Sequence, residues 1–119
     1  MSKSKLAAGA AVLALGLGGA VTTAVSAAPN ATYKLSADKS KLKFNKSTIR
    51  AKAGKVTLRM SNPSSLPHNV GVKGKGTGKT VNKGGTSTYS VTLKKGTYTF
   101  YCGVGSHEKA GMKGKLIVS

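Results

Sequence analysis

From Tyr101 to Met112 the chain reads YCGVGSHEKAGM, which puts its only cysteine, one of its two histidines and one of its three methionines within eleven residues. The other histidine, His68, lies upstream in SLPHNVGV. The whole chain therefore offers one thiolate, two imidazoles and, close to both sulfur and imidazole, one thioether. An iron–sulfur cluster needs several cysteines, and a closed structural zinc site prefers cysteine and histidine to methionine. Soft sulfur ligands joined by two imidazoles select copper, in a trigonal arrangement of two histidines and a cysteine with a weak axial methionine. Taken singly, a lone buried histidine or cysteine is more often an ordinary core residue, so the weight rests on whether the chain brings these groups together.

The elements that would position them are strands. In KVTLRMSN, Val56, Leu58 and Met60 alternate with Thr57, Arg59 and Ser61, the period-two pattern of a half-buried strand. STYSVTL repeats it with Tyr89, Val91 and Leu93, and the alternation makes Met60 a core residue rather than a ligand. Further short runs, TYKLS, KLKF, STIRAKA, LPHNVGV, TYTFYC and KLIVS, are separated by Gly, Pro, Asn and Lys turns. Closely spaced strands without a helical pattern predict an all-β sandwich or small barrel of about six to eight strands.

Strand parity then aims the candidate ligands. In TYTFYC, Thr97, Thr99 and Tyr101 form one face, so Tyr98, Phe100 and Cys102 are expected to point inward. In LPHNVGV, His68 shares the parity of Leu66, Val70 and Val72 and is expected inward with them. After Cys102 the strand ends, and a loop delivers His107 and Met112 before KLIVS closes the domain.

Length and composition bound the rest. At 119 residues the chain holds one small domain. Its start, MSKSK followed by the uncharged LAAGAAVLALGLGGAVTTAV and the small residues VSAAP, reads as a secretory signal peptide over residues 1–27, with the domain over 28–119. An uncleaved membrane anchor is the competing reading of that segment. The domain is then exported to the periplasm, the exterior or the cell surface. It carries 18 basic residues against Asp38 and Glu108, a formal charge of +16. Export, evenly scattered lysines and the lack of interleaved aromatics exclude nucleic acid. An anionic envelope polymer, a membrane surface or an acidic protein fits such a charge, as does a solvated face with no partner. The segment Lys73–Gly85 reads as a flexible hairpin or loop. Its Gly78-Lys79-Thr80 imitates a phosphate-binding loop, but the required first glycine falls on Lys73 and the residues after Thr80 are β-like rather than helical.

FYCGVGSHEKAGMKGKLIV resembles the ligand loop and last strand of the cupredoxins, the blue-copper family that includes plastocyanin, azurin and rusticyanin. NPSSLPHNVGV resembles the family's upstream segment, where a strand end presents the first histidine and asparagine often follows. The resemblance spans nearly all of residues 28–119, and the Cys-x4-His-x4-Met spacing is similar to the rusticyanin and auracyanin type rather than the shorter plastocyanin loop. It implies a Greek-key β-sandwich, one type 1 copper ion, and ligation by Cys102, His68, His107 and axial Met112. Asn69 would brace the ligand loop through its side chain. Gly105 and Ser106 stand where many members have Pro-Gly. The function implied is one-electron transfer to and from redox partner proteins. Separately, the basic charge suits an acidic partner, the two acids and the inward parity of Cys102 argue against an enzyme, and a monomer is expected. Two other classes compete: an extracytoplasmic copper-delivery protein, marked by easy metal exchange, and a metal-free cationic sandwich adhering to anionic surfaces, marked by stability indifferent to copper.

Overall fold

In the computed structural model, which describes residues 30–119, Val56, Leu58 and Met60 are fully buried while the alternate residues Lys55, Arg59 and Ser61 are exposed and Thr57 is half-buried. The alternation thus builds a strand, β3 (Gly54–Ser61), that is apolar on one face only. It pairs antiparallel with β6 (Thr86–Leu93) along its whole length and parallel with β1 (Asn30–Ser36) on its other edge. The second sheet has five strands in the order β2 (Thr48–Ala51), β8 (Lys113–Val118), β7 (Gly96–Tyr101), β4 (Gly71–Val72) and β5 (Gly76–Thr77). Both neighbour pairs of the first sheet and two of the four in the second, β2–β8 and β7–β4, are non-consecutive, because the chain crosses repeatedly from one layer to the other, as in a Greek-key sandwich. Among the described residues there is no helix, in agreement with the all-β expectation. The leader assigned to residues 1–27 and the first two residues of the domain lie outside the described residues.

The two inner faces share one core. Leu58, Met60 and Tyr89 from the first sheet meet Phe100, Leu116 and Val72 from the second. Tyr89 crosses the layers to donate its hydroxyl to the Lys75 carbonyl at 3.0 Å. At Gly114 a Cβ would run into the Phe100 ring and the Ser47 carbonyl, so glycine lets β8 lie flush against β7, the strand that leads into Cys102.

Three segments depart from the sequence reading. KLKF is not a strand: the Asp38 carboxylate accepts the Ser40 and Lys41 amides at 3.0 and 2.8 Å, turning the chain, and only one bridge, Phe44 to Ala37, remains. Phe44 instead plugs the core, its ring centroid 5.5 Å from that of Phe100. LPHNVGV alternates only in part. Leu66 is 47% exposed, contrary to its expected inward placement, whereas His68 through Val72 are buried without a break. Pro67 has no N–H to give a ladder, and the Asn62 side chain takes the Leu66 carbonyl at 2.8 Å, so the regular strand begins only at Gly71. Tyr98 is half-buried rather than core, its hydroxyl donating to the Lys94 carbonyl at 2.8 Å over the end of the sandwich. The lysine-glycine segment forms the tight β4–β5 hairpin and then a bridge at Val81, with nothing helical after Gly78.

Candidate metal centre

Cys102 follows the last residue of β7 and is fully buried, as its parity predicted. Its backbone N–H donates to the Met112 carbonyl at 3.1 Å, so the two ends of the ligand loop are pinned together just above the β7–β8 ladder. Inside the loop the His107 amide donates to the Val104 carbonyl and the Met112 amide to the His107 carbonyl, both at 3.0 Å. Gly105, at φ +48°, supplies the left-handed turn between them. Met112 ends the loop with a fully buried side chain.

His68 approaches from the other side. It is bridged to Val81 by two backbone hydrogen bonds of 3.1 and 2.9 Å, which fix it at the mouth of the sandwich rather than within a regular strand. The result is a triangle of ligand atoms: His68 Nδ1 and His107 Nδ1 lie 3.2 Å apart, and Cys102 Sγ lies 3.9 Å from the first and 3.6 Å from the second. The point equidistant from all three falls inside the triangle, about 2.1 Å from each, which matches first-row metal bonds to imidazole and is about 0.2 Å short of those to thiolate. These donors thus fit one metal ion. Burial, and secondarily the neighbouring His107, hold the His68 pKa below its ordinary 6.5, which keeps the imidazole neutral and its lone pair free.

Asn69 ties the two halves. Its Oδ1 accepts the Gly103 amide at 2.7 Å, its Nδ2 donates to Thr80 Oγ1 at 3.0 Å, and its backbone N–H points at Cys102 Sγ at 3.5 Å. These are the contacts expected of a residue that orients a ligand loop. Thr80 was not anticipated from the sequence, nor was Asn62. Asn62 Nδ2 donates to the Leu66 and Val81 carbonyls at 2.8 and 2.9 Å, and its Oδ1 accepts the Ser64 amide at 2.9 Å. The Asn-Pro step at 62–63 is a turn signal that marks such a hub. Also unanticipated is the ion pair of Lys73 with Glu108, the residue after His107; Lys73 lies 5.1 Å from the Tyr101 ring centroid, and the carboxylate holds the lysine pKa above its usual value.

A two-layer β-sandwich with a buried cysteine, two converging histidines and a methionine at the loop's end defines a class of single-metal β proteins. A family model described as Cupredoxin-like domain matches residues 9–118, and the chain belongs to that family. It is 35% identical over 105 residues to chloroplastic plastocyanin of Chlamydomonas reinhardtii, covering 79% of this chain and 70% of the relative. Among solved structures it is similar to auracyanin A of Chloroflexus aurantiacus, a "blue" copper protein, with a TM-score of 0.68, 22% identity, and coverage of 76% of this chain and all of the other. It is also similar to amicyanin of Paracoccus versutus, with a TM-score of 0.56, 26% identity, and coverage of 76% and 84%.

Proposed function

We propose that this protein is a small exported electron carrier in which Cys102, His68, His107 and Met112 would hold one type 1 copper ion. The observation that carries the reading is the triangle of Sγ and two Nδ1 atoms, whose centre lies close to bonding distance from all three. When bound, copper supplies the redox couple, taking up one electron as Cu(II) and releasing it as Cu(I). The chain's part is to keep the donors in place through both states. Cys102 and Met112 are joined through the backbone, His68 is pinned to Val81, and Asn69 bonds the two segments together. Fast transfer needs ligands that move little, and a site braced from two elements meets that need.

His107 is half-buried where His68 and Cys102 are fully buried, so it is the ligand through which electrons enter and leave. Carrier rather than enzyme is supported by the fully committed donor set and by the absence, among the described residues, of a free carboxylate pair for acid–base work. Asp38 is spent on a turn and Glu108 on Lys73. Export follows from the leader read at residues 1–27 and suits the chloroplastic location of the plastocyanin relative. Monomeric action with a redox partner protein, recognised in part by acidic groups, completes the reading.

Titration of the purified protein with Cu(II), followed in the visible spectrum, tests it. An intense thiolate-to-copper band saturating at one equivalent is expected, and Cys102→Ala is expected to remove it. A colourless wild type, or a coloured alanine variant, rejects the site. Slow electron self-exchange with rapid loss of copper to a chelator would instead mark a delivery protein.

A further inference from the structure

The described residues hold all 18 basic side chains outside the leader, and both acids are already engaged within the fold. Asp38 caps its turn and Glu108 pairs with Lys73; among the described residues no other lysine or arginine makes a carboxylate contact. The unpaired cations occupy both outer faces of the sandwich. On the three-stranded sheet, Lys34 of β1 and Arg59 of β3 are direct register partners, and both are exposed. Like charges placed opposite each other on a sheet are destabilising. They flank a cleft of about 320 Å³ completed by Ser61 and Thr86. On the five-stranded sheet, Lys113 and Lys115 project from the same side of β8 into a second cleft, of about 480 Å³, with Ser47, Thr48 and Thr99 along it and with the Glu108 carboxylate, already paired with Lys73, also in its lining. Each cleft joins paired cations to hydroxyl donors, the chemistry that holds phosphate oxygens.

We infer that the two outer faces are binding surfaces for a flexible, phosphate-bearing polymer, which lies along both clefts at once. Three observations favour a polymer over the other anionic partners. A flat membrane reaches one face of a sandwich, whereas the cation pairs lie on opposite faces. A folded protein interface needs an apolar centre, and the one large exposed apolar residue among those described, Leu66, lies in the segment leading to His68 and outside both clefts. A hydrated chain needs neither flatness nor apolar anchors, since binding is driven by release of its counterions. This inference rests on the surface alone and stands whether or not the copper reading does.

Inorganic polyphosphate is the probe. Binding of fluorescently labelled polyphosphate to the copper-loaded protein, measured by anisotropy from about 50 to 300 mM salt, is expected to show log affinity falling linearly with log salt concentration. Each neutralised phosphate contact contributes a slope of about 0.7, as for single strands. The pair Lys34→Gln and Arg59→Gln, and separately the pair Lys113→Gln and Lys115→Gln, are each expected to lower the slope by about 1.4, and all four together by about twice that. Retention of the wild-type far-ultraviolet circular dichroism and urea midpoint in every variant reports an intact fold and keeps this test separate from the metal assignment. The inference is overturned by no binding at the lowest salt, or by a four-fold variant that binds like the wild type. It is overturned equally if vesicles of phosphatidylglycerol bind the protein while polyphosphate fails to compete.

Discussion

At Gly105 the backbone itself decides what the ligand loop tolerates. Its φ of +48° lies in the left-handed region, while proline is locked near −65°. The Pro-Gly step found at this point in many relatives therefore does not suit this loop. Gly105→Pro is expected to weaken copper binding and distort the visible band, and Gly105→Ala to cost about 1 kcal/mol in chemical denaturation. Asn69 acts through other residues: with Asn69→Ala the Gly103 amide and Thr80 hydroxyl lose their partner, and metal affinity is expected to fall about 10- to 100-fold in competition with a chelator. His68 carries the pH dependence of the metal-free protein. Its folded pKa lies below the ordinary 6.5, so the unfolded chain takes up a proton at higher pH than the folded one. Stability is whole above about pH 6.5 and declines as the pH falls from there toward the folded value. Urea midpoints at pH 7.5 and 5.5 should therefore differ in the metal-free protein, and His68→Gln should narrow the difference. Identical midpoints in the wild type would refute the assignment.

Between elements, the site depends on joints that no single strand contains. Asn62, just after β3, satisfies the Leu66 carbonyl and the Ser64 amide in the segment leading to His68, and the Val81 carbonyl across from His68. Removing its side chain in Asn62→Ala leaves the buried Ser64 amide unpaired, a loss of about 1–3 kcal/mol in equilibrium unfolding, while the Leu66 and Val81 carbonyls keep the Ser64 hydroxyl and the His68 amide. Its carbonyl and amide contacts to Gly84 and Gly85 survive, so the variant is expected to fold with His68 less firmly set. Gly114 is a second joint. Gly114→Ala forces β8 away from Phe100, an overpacking expected to cost about 1–3 kcal/mol and to alter the loop that β8 anchors. The Lys73–Glu108 pair links the β4–β5 hairpin to the ligand loop on the surface, where such pairs add little stability. Its expected effect is on order, not stability: Glu108→Gln should broaden the amide resonances of Ser106 to Ala110 in the metal-free protein and leave the unfolding midpoint unchanged.

For the molecule as a whole, a metal held only by the folded state stabilises it by mass action, about 2.7 kcal/mol at a free concentration one hundred times Kd. The Tm is expected to rise with Cu(II) in the wild type and to stay flat in Cys102→Ala. A wild-type Tm indifferent to copper would favour the metal-free cationic sandwich. A surface of +16 also sets association: encounter with an acidic redox partner is expected to slow steeply as salt rises from about 10 to 300 mM, as roughly 10 Å of screening length at 0.1 M dictates.

The class of fold was legible in the residue pattern alone, because period-two alternation in KVTLRMSN and STYSVTL admits one buried face and no helix. The sequence also narrowed the candidate donors, because the chain holds one cysteine and two histidines and the loop after β7 spaces a cysteine, a histidine and a methionine within eleven residues. Convergence was decided only by the tertiary structure. His68 and Cys102 are 34 residues apart, and the ladder and bridge that set their atoms 3.9 Å apart come from strands non-adjacent in the chain. Pattern failed at Leu66 and in KLKF, where a side-chain hydrogen bond or a turn, neither visible in hydropathy, outcompetes the ladder. The roles of Asn62, Thr80 and the Lys73–Glu108 pair were hidden for the same reason. Periodicity records which face is buried, whereas a long-range polar contact exists only once two distant segments have been folded together.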